Sequence, residues 1–158
     1  MIHEEIVDLM AQARPGSSWM GLDLGTKTIG VAVSDRLLSS ATPLHTIRRV
    51  KFSKDAEALL EVIENREIGA IILGLPRNMD GSEGPRCQST RAFGRNLASL
   101  TDLPIGYWDE RLSTVAAERA LLEADTSRKR RAEVIDHVAA GYILQGALDR
   151  ARHIRTVG

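Results

Sequence analysis

The chain has one cysteine, no net charge and no long apolar run. Cys87 alone excludes an intrachain disulfide, a CxxC pair and a zinc cluster, and no histidine arrangement accompanies it as for a cysteine nucleophile. Lys plus Arg equals Asp plus Glu at 21 each, so bulk charge does not mark the chain as a nucleic-acid binder. A polyanion would have to be met by local patches. Three basic runs qualify, RRVK at 48–51, RKRR at 128–131 and RARHIR at 150–155, although each also reads as a solvated face. No apolar stretch approaches the roughly 20 residues that span a bilayer. The opening MIHEEIVDLM carries early acids, unlike a signal peptide, so the expected location is the cytoplasm and no membrane partner is expected. Internal repeats and low-complexity segments are also missing.

What is present fits a single soluble domain: 158 residues, 43% hydrophobic and 27% charged. Ile2, Ile6, Leu9, Met10 and Ala13 recur at helical spacing before RPGSS breaks the pattern, which predicts an appended N-terminal helix within residues 1–18. Apolar β-branched runs at 19–24 and 28–34 around GTK predict a hairpin. A third strand is expected within 43–50, then a helix capped by Ser53 with Ala56, Leu59, Leu60 and Ile63 on one face. IGAIILGLP at 68–76 is the continuous apolar run of a strand buried on both faces. PRNMDGSEGPR reads as a loop, followed by a helix from Pro85 towards Leu100 and a short strand in LPIGYWDER. Ser113 can cap a further helix, ADTSRKRR links onward, and a last helix spans about 132–150. Strands joined through helices imply parallel pairing with helices on the sheet faces, a mixed-sheet α/β fold.

Three carboxylates stand where burial is costly. Asp23 interrupts a buried strand among Gly21, Gly25 and Gly30; alone, it also fits a strand-end carboxylate taking turn N–H groups. Asp109 and Glu110 end the strand IGYW, and being sequential they point to opposite faces, so at most one can join Asp23. Asp136 lies on the stripe of Ala140, Ile143 and Ala147, where an acid can alternatively pair with the nearby RKRR. Small Ala139 and Ala140 would let that helix approach the sheet closely. Carboxylates packed together repel, and a divalent cation resolves this. Hard oxygen donors without a His or Cys cluster point to Mg²⁺ or Mn²⁺, and a pair of such ions suits phosphodiester hydrolysis.

At these residues the chain resembles the YqgF family, also called RuvX, pre-16S rRNA nucleases related to Holliday-junction resolvases. GLDLGTKTIGVAVSD resembles the family's first strand pair, LGLPRNMDGSEGPR its central loop motif, DERLST its third motif and VIDHVAAGYIL its last helix. The resemblance runs from about Trp19 to Asp149. It implies a ribonuclease H-like fold, a five-stranded mixed sheet flanked by helices, to which the N-terminal helix is extra. It also places the family's catalytic and metal-binding acids on Asp23, Glu110 and Asp136, favouring Glu110 over Asp109, and implies cytoplasmic maturation of the 5′ end of 16S rRNA.

The expectation is therefore a metal-dependent nuclease holding two Mg²⁺ or Mn²⁺ ions. Its domain would span 19–150, with a basic C-terminal tail at 151–158, and act as a monomer or weak homodimer. Candidate substrate contacts are Lys27, Asn78, Arg86, Arg111 and the run Arg128, Lys129, Arg130 and Arg131. Gly25 and Gly30 are expected to let backbone approach the substrate. Asn78, Asp80 and Gly81 would shape a loop over the site, or simply form a turn held by Asn and Asp side chains. Rival readings are a resolvase cutting four-way DNA junctions and a non-catalytic nucleic-acid-binding module. A third is an ATPase, since DLGTKTIGVAV also resembles the first phosphate loop of the actin and sugar-kinase superfamily; that architecture needs two domains, and this chain has room for one.

Overall fold

Two apolar runs separated by a three-residue turn form the centre of the molecule. The structure, a computed structural model, describes the backbone of residues 1–112 and 128–157 and the side chains of 1–112 and 136–156. In chain order the strands are β1 (Ile2–His3), β2 (Ser18–Leu24), β3 (Thr28–Ser34), β4 (Ala41–Arg48), β5 (Ile68–Leu75) and β6 (Ile105–Asp109). The helices are α1 (Ile6–Gln12), α2 (Phe52–Asn65), α3 (Pro85–Ala98) and α4 (Arg128–Val157), with a short 3₁₀ turn at Glu110–Leu112 after β6. The helix expected after Ser113 lies outside the described residues.

The strands form one sheet in the order β1-β6-β5-β2-β3-β4. β2 pairs antiparallel with β3, and β3 with β4; β2 pairs parallel with β5, β5 with β6, and β6 with β1. The expected hairpin and the helix-linked parallel strands are thus present. β5 is buried along its whole length, as its unbroken apolar run requires. β4 alternates between half-buried and exposed residues and tolerates Pro43 because it is an edge strand.

Each face of the sheet carries its own core. On one side Met20, Leu22, Leu24, Leu73 and Leu75 meet Leu59 of α2 and Phe93 and Leu97 of α3. On the other, Trp19, Ala70, Ile72 and Trp108 meet α1 and the buried stripe Ala140, Ile143, Leu144, Ala147 and Leu148 of α4. Strand alternation sends successive residues of β2 to opposite cores, which fixes where Asp23 points.

Three expectations are corrected. The sheet has six strands among the described residues rather than five, because Ile2 and His3 add a strand beside Ile105 and Gly106. The N-terminal segment is therefore part of the sheet as well as a helix, and burial of Ile6 and Leu9 contributes about 1.5–3 kcal/mol each. The last helix does not end near residue 150: it runs to Val157 with Ala151 buried, so the basic residues expected as a tail are its final turns. Finally, the cap residue of α2 is Lys51, which makes no side-chain bond, rather than Ser53; Asp55 Oδ1 accepts the Val50 N–H at 3.1 Å, and the helix starts two residues earlier than expected.

Candidate active site

Asp23 is 5% exposed and lies near the C-terminal end of β2, on the α4 side with Trp19 and Gly21. Its cross-strand partner in β3 is Gly30, and the parallel register with β5 (Leu22 beside Leu73) sets Gly74 on its other flank. Both flanking residues thus lack a side chain, and other groups occupy the vacated space. A Cβ at Gly30 would run into the backbone carbonyl of Asp136 and stand 2.9 Å from the His137 nitrogen. A Cβ at Gly74 would stand 3.0 Å from Ile143 Cγ1 and 3.3 Å from Glu110 Oε1. The row Gly30–Asp23–Gly74 therefore lets the α4 backbone in from one side and the Glu110 carboxylate from the other.

Glu110 continues the alternation of β6 onto the α4 face, after Gly106 and Trp108. Asp109 is directed elsewhere. Its carboxylate accepts from the Arg111 guanidinium, with Nη2 to Oδ2 at 2.7 Å, and from the Arg111 backbone N–H at 3.0 Å. These bonds hold the Asp109 carboxyl below the usual carboxylate range and raise Arg111. Of the two sequential acids, Glu110 is the one that shares Asp23's face.

Asp136 sits in α4 above β3, and its Oδ2 accepts the hydroxyl hydrogen bond of Thr28. His137 Nδ1 lies 3.0 Å from Thr46 Oγ1, a second tie between this turn of α4 and the hairpin strands. The three acids thus reach one face of the sheet at one end. Among the described residues, however, no three His, Cys, Asp or Glu side chains form a group that could hold a metal ion. The donors have the hard-oxygen character that Mg²⁺ or Mn²⁺ takes, while Thr28 engages the Asp136 carboxylate.

The remaining candidates divide. Lys27 and Arg86 are exposed, Lys27 in the β2–β3 turn and Arg86 in the first turn of α3. Asn78 is used structurally: its Nδ2 donates to Ser82 Oγ at 3.0 Å, while Asp80 Oδ1 accepts from the Ser82 N–H at 2.9 Å and from its hydroxyl at 2.5 Å. The Ser82 hydroxyl and amide pull the Asp80 carboxyl below its ordinary range, and Gly81 adopts φ +89°. The segment 78–82 is thus the side-chain-held turn, the blander of its two expected forms. Arg111 is paired with Asp109 and also donates to the Met79 carbonyl at 3.4 Å, bracing this turn. Residues 128–131 form the first turns of α4, ahead of Asp136, with their side chains outside the described set. Gly30 is covered by α4 and is not a place where substrate meets backbone, a correction to its expected role. Gly25 closes the turn instead, its N–H donating to the Thr28 carbonyl at 2.9 Å.

Thr28 and Gly74 were not among the candidates, and both shape the site. Each was accessible from pattern once the register is known: Thr28 is two residues before Gly30 and so shares its face, and Gly74 is two after Ile72 on the α4 side of β5. A hairpin register cannot be read from a single run of apolar residues, which is why neither stood out.

A profile described as "RuvX: Holliday junction resolvase" matches residues 17–150. A protein of Ruegeria sp. (strain TM1040) named "Putative pre-16S rRNA nuclease" is 72% identical over 156 residues, covering 99% of both chains. Its namesake from Ruegeria pomeroyi (strain ATCC 700808 / DSM 15171 / DSS-3) is 70% identical over 154 residues, 98% of this chain and 100% of that one. Among solved structures, T. thermophilus RuvC in complex with Holliday junction substrate superposes with a TM-score of 0.51 at 17% identity, covering 89% of this chain and 96% of that one, a likeness of fold. No described helix is long and apolar enough to cross a membrane. With the matched span running from the start of β2, which carries Asp23, into α4, which carries Asp136, the chain belongs to the RuvX family.

Proposed function

We propose that the chain is a divalent-metal-dependent nuclease that hydrolyses phosphodiester bonds, with the 5′ end of pre-16S rRNA as its substrate in the cytoplasm. The observation that carries this reading is the row Gly30–Asp23–Gly74, which clears room around a buried strand carboxylate for Glu110 and for the Asp136 turn of α4. The names of the relatives support the choice of RNA.

In this reading Asp23 of β2 and Glu110 of the turn after β6 would hold the metal, and Asp136 would join them on giving up its bond from Thr28. Bound Mg²⁺ or Mn²⁺, two ions in the fullest form, would activate water and stabilise charge on the scissile phosphate. The chain's own part is positional. Strand pairing holds Asp23 rigidly, Ile143 and Gly74 frame Glu110, and Thr28 sets the rest position of the Asp136 carboxylate. Asp109, neutralised by Arg111, leaves Glu110 as the acid of that pair facing the substrate.

The test is cleavage of pre-16S rRNA fragments and of four-way DNA junctions in Mg²⁺ or Mn²⁺. Wild type cutting the rRNA fragment, with Asp23→Asn inactive, is the predicted outcome. Cutting of the junction alone would favour the resolvase reading, to which the family's description points. Cutting of neither would favour a binding module. The neutral net charge supports the smaller RNA target, since a large junction presents many phosphates to be neutralised. A monomer or weak homodimer is the assembly in this reading, to be checked by solution mass.

A further inference from the structure

Across the sheet edge from the acids lies a cleft of about 550 Å³ between the β2–β3 turn, the start of α2 and the first turns of α3. Thr26, Arg49, Lys51, Arg86 and Ser89 supply most of its polar groups. Arg49 is fixed in place. Its Nη1 donates to the Gly25 carbonyl at 2.6 Å, its Nε lies 3.9 Å from buried Asp55, and its guanidinium lies 5.7 Å from the Phe93 ring centroid. Asp55 balances that charge. Lys51 and Arg86 are exposed, and neither has an acidic partner among the described residues. Two cations with no acidic partner among the described residues thus face one polar cleft in a chain whose total charge is zero. The start of α3 adds to the potential, because its first turn has no acid and its cap residue Gly84 makes no side-chain bond, whereas Asp55 already faces the start of α2.

The placement relative to the acids suggests a ligand. Leu24 lines the cleft, and its neighbour Asp23 projects to the other side of the same strand end. A nucleic-acid strand crossing the end of β2 would meet the acids on one side and the cleft on the other. We infer that this cleft holds an internal backbone phosphate of the strand whose neighbouring linkage lies over the acids. Lys51 and Arg86 are its charged contacts, and the Thr26 and Ser89 hydroxyls are further donors. The inference takes its ligand from the nuclease reading, but its test needs no cleavage.

That test is fluorescence anisotropy of a labelled 12-nucleotide single-stranded RNA with the full chain, in EDTA, over a salt series. Lys51→Gln and Arg86→Gln should each weaken binding about 3–10-fold near 0.1 M salt and reduce the salt slope by roughly 0.7 to 1. Lys54→Gln removes the same charge from α2 but outside the cleft, where Lys54 Nζ lies 3.8 Å from Glu57, and should bind as wild type. Melting curves of all three should match wild type, since the substituted side chains are exposed. Equal weakening by Lys54→Gln, or none by the cleft variants, would overturn the inference. So would a gain in affinity confined to 5′-phosphorylated RNA and lost in the cleft variants, which would mark an end-binding pocket. Selective weakening by the cleft variants in a protein that cuts no nucleic acid would reject the nuclease reading and leave the cleft standing.

Discussion

Asp23 keeps a carboxylate in a strand where desolvation costs several kcal/mol unless it is compensated, and its neighbours show what that position requires. The glycines beside it differ in what a methyl group would strike. At Gly30 the obstacle is the α4 backbone at Asp136, which can yield only if the helix moves; at Gly74 it is the end of the Ile143 side chain and one Glu110 oxygen. Gly30→Ala should therefore cost about 3 kcal/mol or more in denaturant unfolding, and Gly74→Ala about 1–2 kcal/mol. Gly74→Ala should nonetheless lower cleavage by displacing Glu110. Asp109 offers a pH-dependent check. Its folded pKa lies below the unfolded value near 3.9, so the stabilisation is present above that pH and is lost as pH falls through the folded value. Wild type should melt above Asp109→Asn at pH 7, and the gap should close as pH falls below about 4. Asp23 and Asp136 stood out as candidates because each breaks an apolar pattern, whereas Glu110 was legible as a candidate over Asp109 only through the family resemblance. Thr28 and Gly74 were not, because a hydroxyl or a glycine in a strand breaks none.

Helix α4 shows how far periodicity carries at the scale of an element. Asp136, Ala140, Ile143 and Ala147 mark one face in the sequence, and the last three are fully buried. The same spacing continues to Ala151 and Ile154, at four and seven residues beyond Ala147, but Arg150, Arg152, His153 and Arg155 around them read as a solvated tail. Helix and charge are compatible because the basic residues occupy the outer face. Truncation after Arg150 should therefore lower stability by about 1–3 kcal/mol, measured as a reduced denaturant midpoint at unchanged slope. An unchanged midpoint would mean that the final turns pack against nothing. At α2 the local signal misled: Ser53 is a favourable cap residue, yet Asp55 reaching back to the Val50 N–H starts the helix earlier.

For the whole molecule, the mixed sheet and its helix-linked parallel strands were legible from the order of runs, whereas β1 was not, since two residues give no period. The N-terminal segment is joined to the rest by more than that strand. Arg91 of α3 donates to Glu4 at 2.9 and 3.0 Å and to Glu83 at 2.6 and 2.8 Å, and its guanidinium lies 4.7 Å from the Tyr107 ring centroid. These contacts hold the Glu83 carboxyl below its ordinary range and raise Arg91. Arg91→Ala should speed amide exchange in residues 1–12 while leaving that of β2 and β3 unchanged. The site proposed on the α4 face would likewise draw on the whole chain, because β2, the 3₁₀ turn after β6 and α4 each carry one of its acids. A cation held there stabilises the folded state by mass action, so a hundredfold excess of Mn²⁺ over Kd should raise the melting temperature by roughly 5–10 °C. Uptake of the ion is the most direct measurement, followed as loss of the free Mn²⁺ electron paramagnetic resonance signal during titration of wild type, Asp23→Asn, Glu110→Gln, Asp136→Asn and Asp109→Asn. The account predicts that wild type and Asp109→Asn bind alike and that the other three bind at least about tenfold more weakly, a difference of about 1.4 kcal/mol; equal binding by all five proteins, or by none, would contradict it.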